Sequence, residues 1–184
     1  MSQQKWVIVI IVFLLVMVFI YPLGRRTYYE FNPPKDISTS NAGLKLHQEG
    51  KYREALDMYA ESLSHNPTNG VTYANRGDTY MELGMYDSAF NDYAKALELG
   101  TDTAAMRVNR GNIYLNRSQF DLALVEYGKS ISIRPVAEAY VGQGLAQTYL
   151  WDDVSANQSF DKAISLGFDS DRIYVTRDQI RQIR

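Results

Sequence analysis

Three asparagines recur at one interval along the chain, and their spacing suggests hydrogen-bonding chemistry. Asn41, Asn75 and Asn109 stand at equal intervals, and Gly142 breaks the series at the next position. A carboxamide both donates and accepts hydrogen bonds, which suits the backbone of an extended peptide. Bonding to neighbouring helices or to water is the alternative role for the same groups. The series therefore predicts either a ladder that binds a peptide or a ladder that is internal to the protein.

Groups that could carry out covalent or metal chemistry are scarce. The chain has no Cys, and its two histidines, His47 and His65, lack the spacing of metal ligands. The segment GQGLAQ at 142–147 imitates a dinucleotide fingerprint but follows no predicted strand. Neither a P-loop nor a G-x-S-x-G motif occurs in the sequence. We therefore expect no enzyme activity, no metal, no cofactor and no small-molecule substrate.

A longer unit surrounds each asparagine and returns at the same, nearly constant interval. Its marker is an alanine, at Ala55, Ala89, Ala123 and Ala156. Twelve residues earlier stands a glycine, at Gly43, Gly77, Gly111 and Gly144. Four residues later stands an aromatic ring, at Tyr59, Tyr93, Tyr127 and Phe160. Glycine inside a helix costs about 1 kcal/mol relative to alanine, so its return at one place indicates close packing of two helices.

This arrangement resembles the tetratricopeptide repeat family, whose unit is a helix–turn–helix of about 34 residues. The resemblance covers residues 36–170, and it weakens in the fourth unit, where Trp151 replaces the turn glycine. It implies an all-α fold, a right-handed superhelix (an α-solenoid) of about four helix–turn–helix repeats. Since one repeat cannot cover its own apolar face, the repeats must stack, and the last one needs a polar cover.

We predict seven segments from these patterns. They are a transmembrane anchor at 1–24, a linker at 25–35, repeats at 36–69, 70–103, 104–136 and 137–170 (the last divergent), and a capping helix at 171–184. The capping helix places Ile173, Ile180 and Ile183 along one side. We expect its arginines (Arg172, Arg177, Arg181 and Arg184) to face solvent, with a lipid or nucleic-acid patch as the alternative.

The N-terminal prediction rests on an apolar run, VIVIIVFLLVMVFI, at residues 7–20. With its flanks the run extends over residues 6–23, a helix of roughly 27 Å, close to the hydrocarbon thickness of a bilayer. The run ends in FIYPLGRR, without the small residues of a signal-peptide cleavage site. We therefore expect a single-pass anchor in contact with the lipid bilayer, rather than a cleaved signal or a core helix.

The charges beside this run bear on the location of the rest of the chain. Lys5 lies on one side, and Arg25, Arg26 and Lys35 lie on the other, which favours the cytoplasm for the C-terminal domain. A periplasmic or other extracytoplasmic domain is the alternative. Residues 36–184 hold fifteen bases and twenty acids without a basic stripe, so we expect no nucleic-acid partner.

The resemblance also implies a binding surface, because the first helices of successive repeats line a concave groove in this family. The groove positions are Ser40, Asn41, Leu44, Ala74, Asn75, Asp78, Val108, Asn109, Asn112, Val141, Leu145 and Tyr149. Val71, Met81, Glu82, Leu115 and Asn116 complete the expected surface. Amides and small apolar groups dominate, so the expected ligand is a peptide or helix of a partner protein with little charge. Trp151 either packs under the capping helix or forms an exposed anchor for a partner.

A better-defined ligand of the family is the C-terminal carboxylate of heat-shock chaperones, which a clamp of Lys, Asn and Arg side chains holds. The corresponding positions here are Ser40, Leu44, Asn75, Ala105 and Asn109, and only Asn75 matches. We therefore exclude that ligand. The resemblance leaves a membrane-anchored scaffold or adaptor for protein–protein interaction as the predicted function, with a permanent accessory or assembly subunit of a membrane complex as the alternative.

Overall fold

The regular structure of the chain is helical throughout residues 33–183, the part that the computed structural model describes. The helices are α1 Lys35–Gln48, α2 Tyr52–His65, α3 Gly70–Glu82, α4 Tyr86–Glu98, α5 Ala104–Asn116, α6 Phe120–Ile133, α7 Ala137–Tyr149, α8 Asp153–Ser165 and α9 Ser170–Ile183. The predicted transmembrane anchor at 1–24 lies outside the described residues. Among the helices that are described, none has the length and apolar character needed to cross a bilayer.

Two kinds of contact organise the stack. Each odd-numbered helix from α1 to α7 packs against the even-numbered helix that follows it, and α2, α4 and α6 pack against the next odd-numbered helix. Successive odd-numbered helices also contact one another from α1 through to α9, whereas the even-numbered helices of the described part form no comparable row. The odd-numbered helices therefore line the concave side. This arrangement confirms the predicted all-α solenoid of stacked helix pairs.

The turn inside each pair has the same backbone geometry in all four repeats. Its central residue has a positive φ: 74° at Gly50, 69° at Gly84, 56° at Ser118 and 66° at Trp151. In each turn the next residue donates its N–H five positions back, as in the bond from Met85 N to Tyr80 O at 2.8 Å. This is a Schellman cap, which satisfies carbonyls at the end of the first helix.

A glycine and a ring explain the close approach of the two helices in each pair. A Cβ atom added to Gly43, Gly77, Gly111 or Gly144 would lie 2.8, 2.6, 2.5 or 2.5 Å from a Cε1 atom of the ring on the paired helix. The rings are Tyr59, Tyr93, Tyr127 and Phe160, each almost fully buried. We call this the glycine–ring contact. It occupies the same place in every pair, as the repeated spacing predicts.

The surfaces between successive pairs differ in chemistry although they use the same positions. On each odd-numbered helix from α3 onward two residues face the preceding pair: Thr72 and Thr79 on α3, Met106 and Ile113 on α5, Ala139 and Ala146 on α7, and Ile173 and Ile180 on α9. Three apolar clusters hold α5, α7 and α9 to the pairs before them. At the first junction, by contrast, Thr72 Oγ1 donates to Ser40 Oγ at 3.0 Å.

The last helix packs on the fourth pair as an additional odd-numbered helix. Ile173 and Ile180 are buried one repeat period after Ala139 and Ala146. The same offset places the exposed Asp178 where the other odd-numbered helices carry their packing glycine. Arg177 and Arg181, expected from the sequence to face solvent, are half-buried and contact α8, at 3.3 Å from Asn157 and 3.1 Å from Asp153. They therefore help to attach the cap.

Candidate partner-binding groove

An open cavity of about 610 Å³ lies on the concave side where α1, α3 and α5 meet. Its lining residues are His47, Asp78, Met81, Glu82, Tyr86, Asn109, Asn112, Leu115 and Asn116. Helix periodicity explains why these residues line one cavity. The three- and four-residue spacing of one helix face relates residues 78, 81 and 82 on α3, and likewise residues 109, 112 and 116 on α5. The cavity brings together the following sequence-predicted groove residues: Asp78, Asn109 and Asn112, with Met81, Glu82, Leu115 and Asn116 of the completing surface.

Asp78 is the hydrogen-bonding centre of this cavity. Its Oδ1 atom accepts from the Tyr93 hydroxyl at 2.7 Å and from Asn109 Nδ2 at 2.9 Å. Burial raises the pKa of Asp78 above its ordinary value, although the two hydrogen bonds act in the opposite direction. Since burial disfavours the charged form, the carboxylate is held in an environment that would favour a positive neighbour.

The Tyr93–Asp78 bond belongs to a series that follows the repeat. One unit later the Tyr127 hydroxyl donates to Asn112 Oδ1 at 2.8 Å. One unit earlier the corresponding residue is Leu44, and the hydroxyl of Tyr59 is buried without a hydrogen-bond partner among the described residues. In the fourth unit Phe160 has no hydroxyl and lies opposite Leu145. In three repeats, therefore, the end of the ring and the groove residue opposite it are both polar or both apolar. In the first repeat a hydroxyl group lies opposite a leucine.

The asparagine ladder divides between the two roles that its sequence leaves open. Asn109 Nδ2 bonds to Asp78 on the neighbouring helix and lies 3.1 Å from the Tyr93 hydroxyl, so this amide is largely internal. Asn41 is exposed and Asn75 is half-buried, and their side chains make no hydrogen bond within the described part of the chain. The amides with capacity for a ligand are therefore Asn41 and Asn75, together with the amide nitrogen of Asn112.

The remaining predicted groove residues have varied surroundings. Ser40, Ala74 and Val108 are buried between helices, so they offer little surface, although Val108 and Asn109 border a smaller cavity of about 290 Å³. Leu44 is exposed on α1, and Val141 is half-buried in the apolar cluster beneath α9. Leu145 and Tyr149 line a third cavity of about 400 Å³, which Thr176 and Ile180 of α9 help to close.

Two lining residues of the main cavity, His47 and Tyr86, were not predicted from the sequence. His47 Nδ1 lies 2.9 Å from Thr79 Oγ1 on α3, and its ring contacts Tyr52 edge-on at 5.4 Å between centroids. His47 has no counterpart at the same position of the other repeats, where Met81, Leu115 and Thr148 stand. A repeat pattern therefore gave no signal for it.

A second polar series lies behind the groove and pairs the helices of one unit. Arg76 donates to both carboxylate oxygens of Asp92, at 2.7 and 2.9 Å. One unit later Glu126 accepts from Arg107 at 2.9 Å. In the fourth unit a neutral contact between Ser159 and Gln143, at 3.2 Å, takes this place. In both ion pairs the carboxylate is buried and bonded to its arginine, so the pairs hold helices together rather than offer binding capacity.

Trp151 lies at the turn between α7 and α8, on the surface. The residue is 67% exposed, and Val154 in the next helical turn is 72% exposed. The neighbouring Leu150 is exposed as well. The side chain is thus not buried beneath α9.

Within the described residues no group of carboxylates and histidines is arranged to hold a metal ion.

A stack of helix pairs with a continuous concave row defines the chain as a helical-repeat solenoid. Residues 46–90 match the family model described as tetratricopeptide repeat, and no curated protein sequence gives a significant match. A crystal structure of MamA is 22% identical, with a TM-score of 0.66 over 76% of this chain and 82% of that one. A tetratricopeptide repeat protein from Parabacteroides merdae is 24% identical, with a TM-score of 0.67 over 81% and 59%.

The tetratricopeptide repeat domain of Arabidopsis OM64 has the same fold, at 18% identity and a TM-score of 0.59 over 62% of this chain and 96% of that domain. At these identities the likeness establishes architecture. Together with the family model matched over residues 46–90 and the four glycine–ring contacts, it shows that the chain has the tetratricopeptide repeat fold.

Proposed function

We propose that this protein is a scaffold or adaptor for protein–protein interaction, and that its concave groove binds a peptide or helix of a partner. The observation that carries the proposal is the cavity between α1, α3 and α5, where amide groups and apolar side chains lie side by side. Mixed linings of this kind suit a polypeptide, whose backbone needs hydrogen bonds and whose side chains need apolar contact. Nothing in this arrangement suggests catalysis, so we do not propose an enzyme.

A photo-crosslinking amino acid placed at Asn116, inside the cavity, tests this function in the cells that produce the protein. We expect a discrete protein adduct from Asn116 and none from Asp57, which is exposed on α2. Replacing the three amides with capacity for a ligand, Asn41, Asn75 and Asn112, together by alanine should abolish the adduct while the helical circular dichroism is retained. Equal adducts from both positions, or an adduct unaffected by the triple substitution, would contradict groove binding.

We further propose that residues 6–23 anchor the protein in a membrane as a single pass. The support is the uninterrupted apolar run at 7–20 with charged residues on both sides. The side of the membrane is testable with reporters fused to the C-terminus, one active in the cytoplasm and one active only after export. We expect activity from the cytoplasmic reporter, and activity from the exported one alone would place the repeats outside.

A second candidate function is a permanent accessory or assembly subunit of a membrane complex. The observation that favours it is the exposed apolar group formed by Leu150, Trp151 and Val154, which lies away from the main cavity. Permanent interfaces are more apolar than transient ones. If this candidate is correct, Trp151→Ala or replacement of residues 1–35 should release the partner, whereas the triple asparagine variant should retain it.

A further inference from the structure

We infer that the partner segment in the groove carries an arginine or lysine side chain, which pairs with Asp78 and Glu82. This inference rests on the proposed groove function and specifies the chemistry of its ligand. It differs from the weakly charged segment that the sequence alone suggests. Three observations lead to it: the charges that line the cavity, the hydrogen-bond partners of Asp78, and the ion pairs that the buried carboxylates of the stack form.

Acidic side chains outnumber basic ones in the lining of the main cavity. Asp78 and Glu82 are four residues apart on α3, so they share one face of that helix. Neither lysine nor arginine is among the lining residues, and the one basic side chain is His47. Within the described residues Glu82 makes no ion pair, and the second oxygen of Asp78, Oδ2, accepts no hydrogen bond. The cavity therefore presents two carboxylates with acceptor capacity to spare.

The two carboxylates that are buried among the described residues differ from Asp78 because each has an arginine partner. Asp92 is paired with Arg76, and Glu126 is paired with Arg107, each at hydrogen-bond distance. Asp78 instead is held by two neutral donors, Tyr93 and Asn109, and has the imidazole of His47 and the acidic Glu82 nearby. Burial raises the pKa of Asp78, which means that its charge is disfavoured in the absence of a cation. A ligand cation would reverse that penalty.

The rest of the cavity suits the remainder of a basic side chain and its backbone. Met81 and Leu115 provide apolar surface for the methylene stem, which lysine and arginine bury readily. Asn112 and Asn116 offer amides toward the peptide backbone. A volume of about 610 Å³ is ample for one extended residue with its neighbours. A guanidinium or ammonium group at Asp78 thus fits both the charge and the lining.

The test uses the full chain, purified in detergent, and a phage-displayed library of random peptides. Selected peptides are synthesised with each arginine replaced in turn by citrulline, a neutral group of nearly the same shape. We expect a basic residue at one fixed position, and a loss of affinity of about tenfold when that position is neutralised, as for a charge-assisted hydrogen bond. For lysine the matched change is to acetyl-lysine.

The protein variants and the neutralised peptides together form double-mutant cycles. In Asp78→Asn the new amide can still accept from Tyr93, so the fold is retained, and the tenfold effect of citrulline should shrink to less than about twofold. Glu82→Gln, at an exposed position, should reduce the effect in part. Asp57→Asn on α2 removes the same charge outside the groove and should leave the effect intact.

The outcomes separate this inference from the proposed function. Groove-bound peptides without a basic position, or with a citrulline effect equal in wild type and Asp78→Asn, would overturn the cation and leave the groove function standing. Groove binding itself is checked by competition between the peptide and the photo-crosslinker at Asn116. If no selected peptide competes at Asn116, both the groove function and the inferred cation are overturned.

Discussion

Three of the four equivalent rings are tyrosines, and their hydroxyl groups differ in hydrogen bonding. Tyr93 and Tyr127 each donate to a polar residue of the groove, at 2.7 and 2.8 Å. The Tyr59 hydroxyl is equally buried, and burial raises its pKa to about 12. Its polar neighbour Thr79 is already bonded to Asn75 O and to His47. A buried hydroxyl without a partner costs free energy, so the first repeat carries a local weakness.

Phenylalanine substitutions should reveal this difference. We expect Tyr59→Phe to leave the free energy of unfolding unchanged or to raise it, because the lost hydroxyl had no partner. Tyr93→Phe should lower it by about 1–2 kcal/mol, since Asp78 loses a donor. Urea unfolding followed by circular dichroism measures both, and Tyr127→Phe serves as a second paired case. Equal losses for Tyr59→Phe and Tyr93→Phe would show that the Tyr59 hydroxyl is bonded.

At the scale of elements, each helix pair depends on its glycine–ring contact. Gly111→Ala would bring a methyl group to 2.5 Å from the Tyr127 ring, so the two helices must separate. Overpacking of this kind should lower the free energy of unfolding by about 1–3 kcal/mol. Gly128, on the exposed face of α6, has no atom within 4 Å of an added Cβ. Gly128→Ala should therefore raise stability by up to about 1 kcal/mol through helix propensity.

Thermal melts of the two alanine variants at equal protein concentration measure this contrast. Both substitutions add the same methyl group to a helix, so propensity alone would shift them in the same direction. A stabilised Gly111→Ala would mean that the α5–α6 pair can open without cost, and the shared packing role of the four glycines would be refuted.

The loop between α4 and α5 is fastened by an ion pair whose effect depends on pH. Arg107 donates two hydrogen bonds to Asp102, both at 2.7 Å, and lowers the pKa of that carboxyl below its ordinary value of 3.8. An acid whose pKa is lower in the folded state contributes stability above its unfolded pKa, and this stability is lost as pH falls through the folded pKa. Acidification should therefore loosen this loop.

Asp102→Asn should accordingly flatten the acid limb of the stability profile. Between about pH 6 and about pH 3, wild type should lose more unfolding free energy than the variant, because the variant has no Asp102 carboxyl to protonate. Asp161→Asn, at an exposed position on α8, should follow wild type. Urea midpoints measured across this pH range provide the comparison. Parallel profiles for wild type and Asp102→Asn would show that the ion pair between Asp102 and Arg107 does not contribute to the pH dependence of stability.

The repeated spacing in the sequence was sufficient to predict the helix pairs and the glycine–ring contact, because both depend on residue types that return unchanged. The junctions between pairs could not be predicted in the same way. Thr72, Met106, Ala139 and Ile173 occupy one structural position with four different side chains. There the position is constant while the chemistry varies, so a search for matching residue types does not detect it.

The candidate site shows the same limit. Asp78 and Asn112 were predicted as groove residues from their register, and they do border one cavity. The bond between Asn109 and Asp78 could not be predicted, because it depends on how α3 and α5 slide against each other. Nor could the sequence show that Ser118 and Trp151 adopt the left-handed backbone that glycine takes in the first two turns.

At the scale of the whole molecule, stability should be distributed along the stack rather than shared by one core. Each apolar cluster joins a helix pair only to the next odd-numbered helix. In such an array, damage at one end affects its neighbours and fades with distance. The C-terminal helices α7, α8 and α9 should then unfold locally while α1 and α2 stay folded.

Ile173→Ala tests this distribution. The buried side chain belongs to the cluster that attaches α9 to the fourth helix pair, so its truncation should weaken that junction by about 2–4 kcal/mol. Native-state hydrogen exchange should accelerate in α7, α8 and α9 and stay unchanged in α1 and α2. Val175→Ala, at an exposed position of α9, is the matched control and should alter neither end. Uniform acceleration along the chain would indicate a single cooperative unit.

The charge at Asp178 bears on whether copies of this protein can join end to end. A helix from another copy that tried to pair with α9 would have to press its ring against this carboxylate, which is exposed and bonded to Arg177 at 3.0 Å. Dehydrating that ion would outweigh the gain from covering Val175 and Tyr174. Pairing of a second copy with α9 through this position is therefore disfavoured.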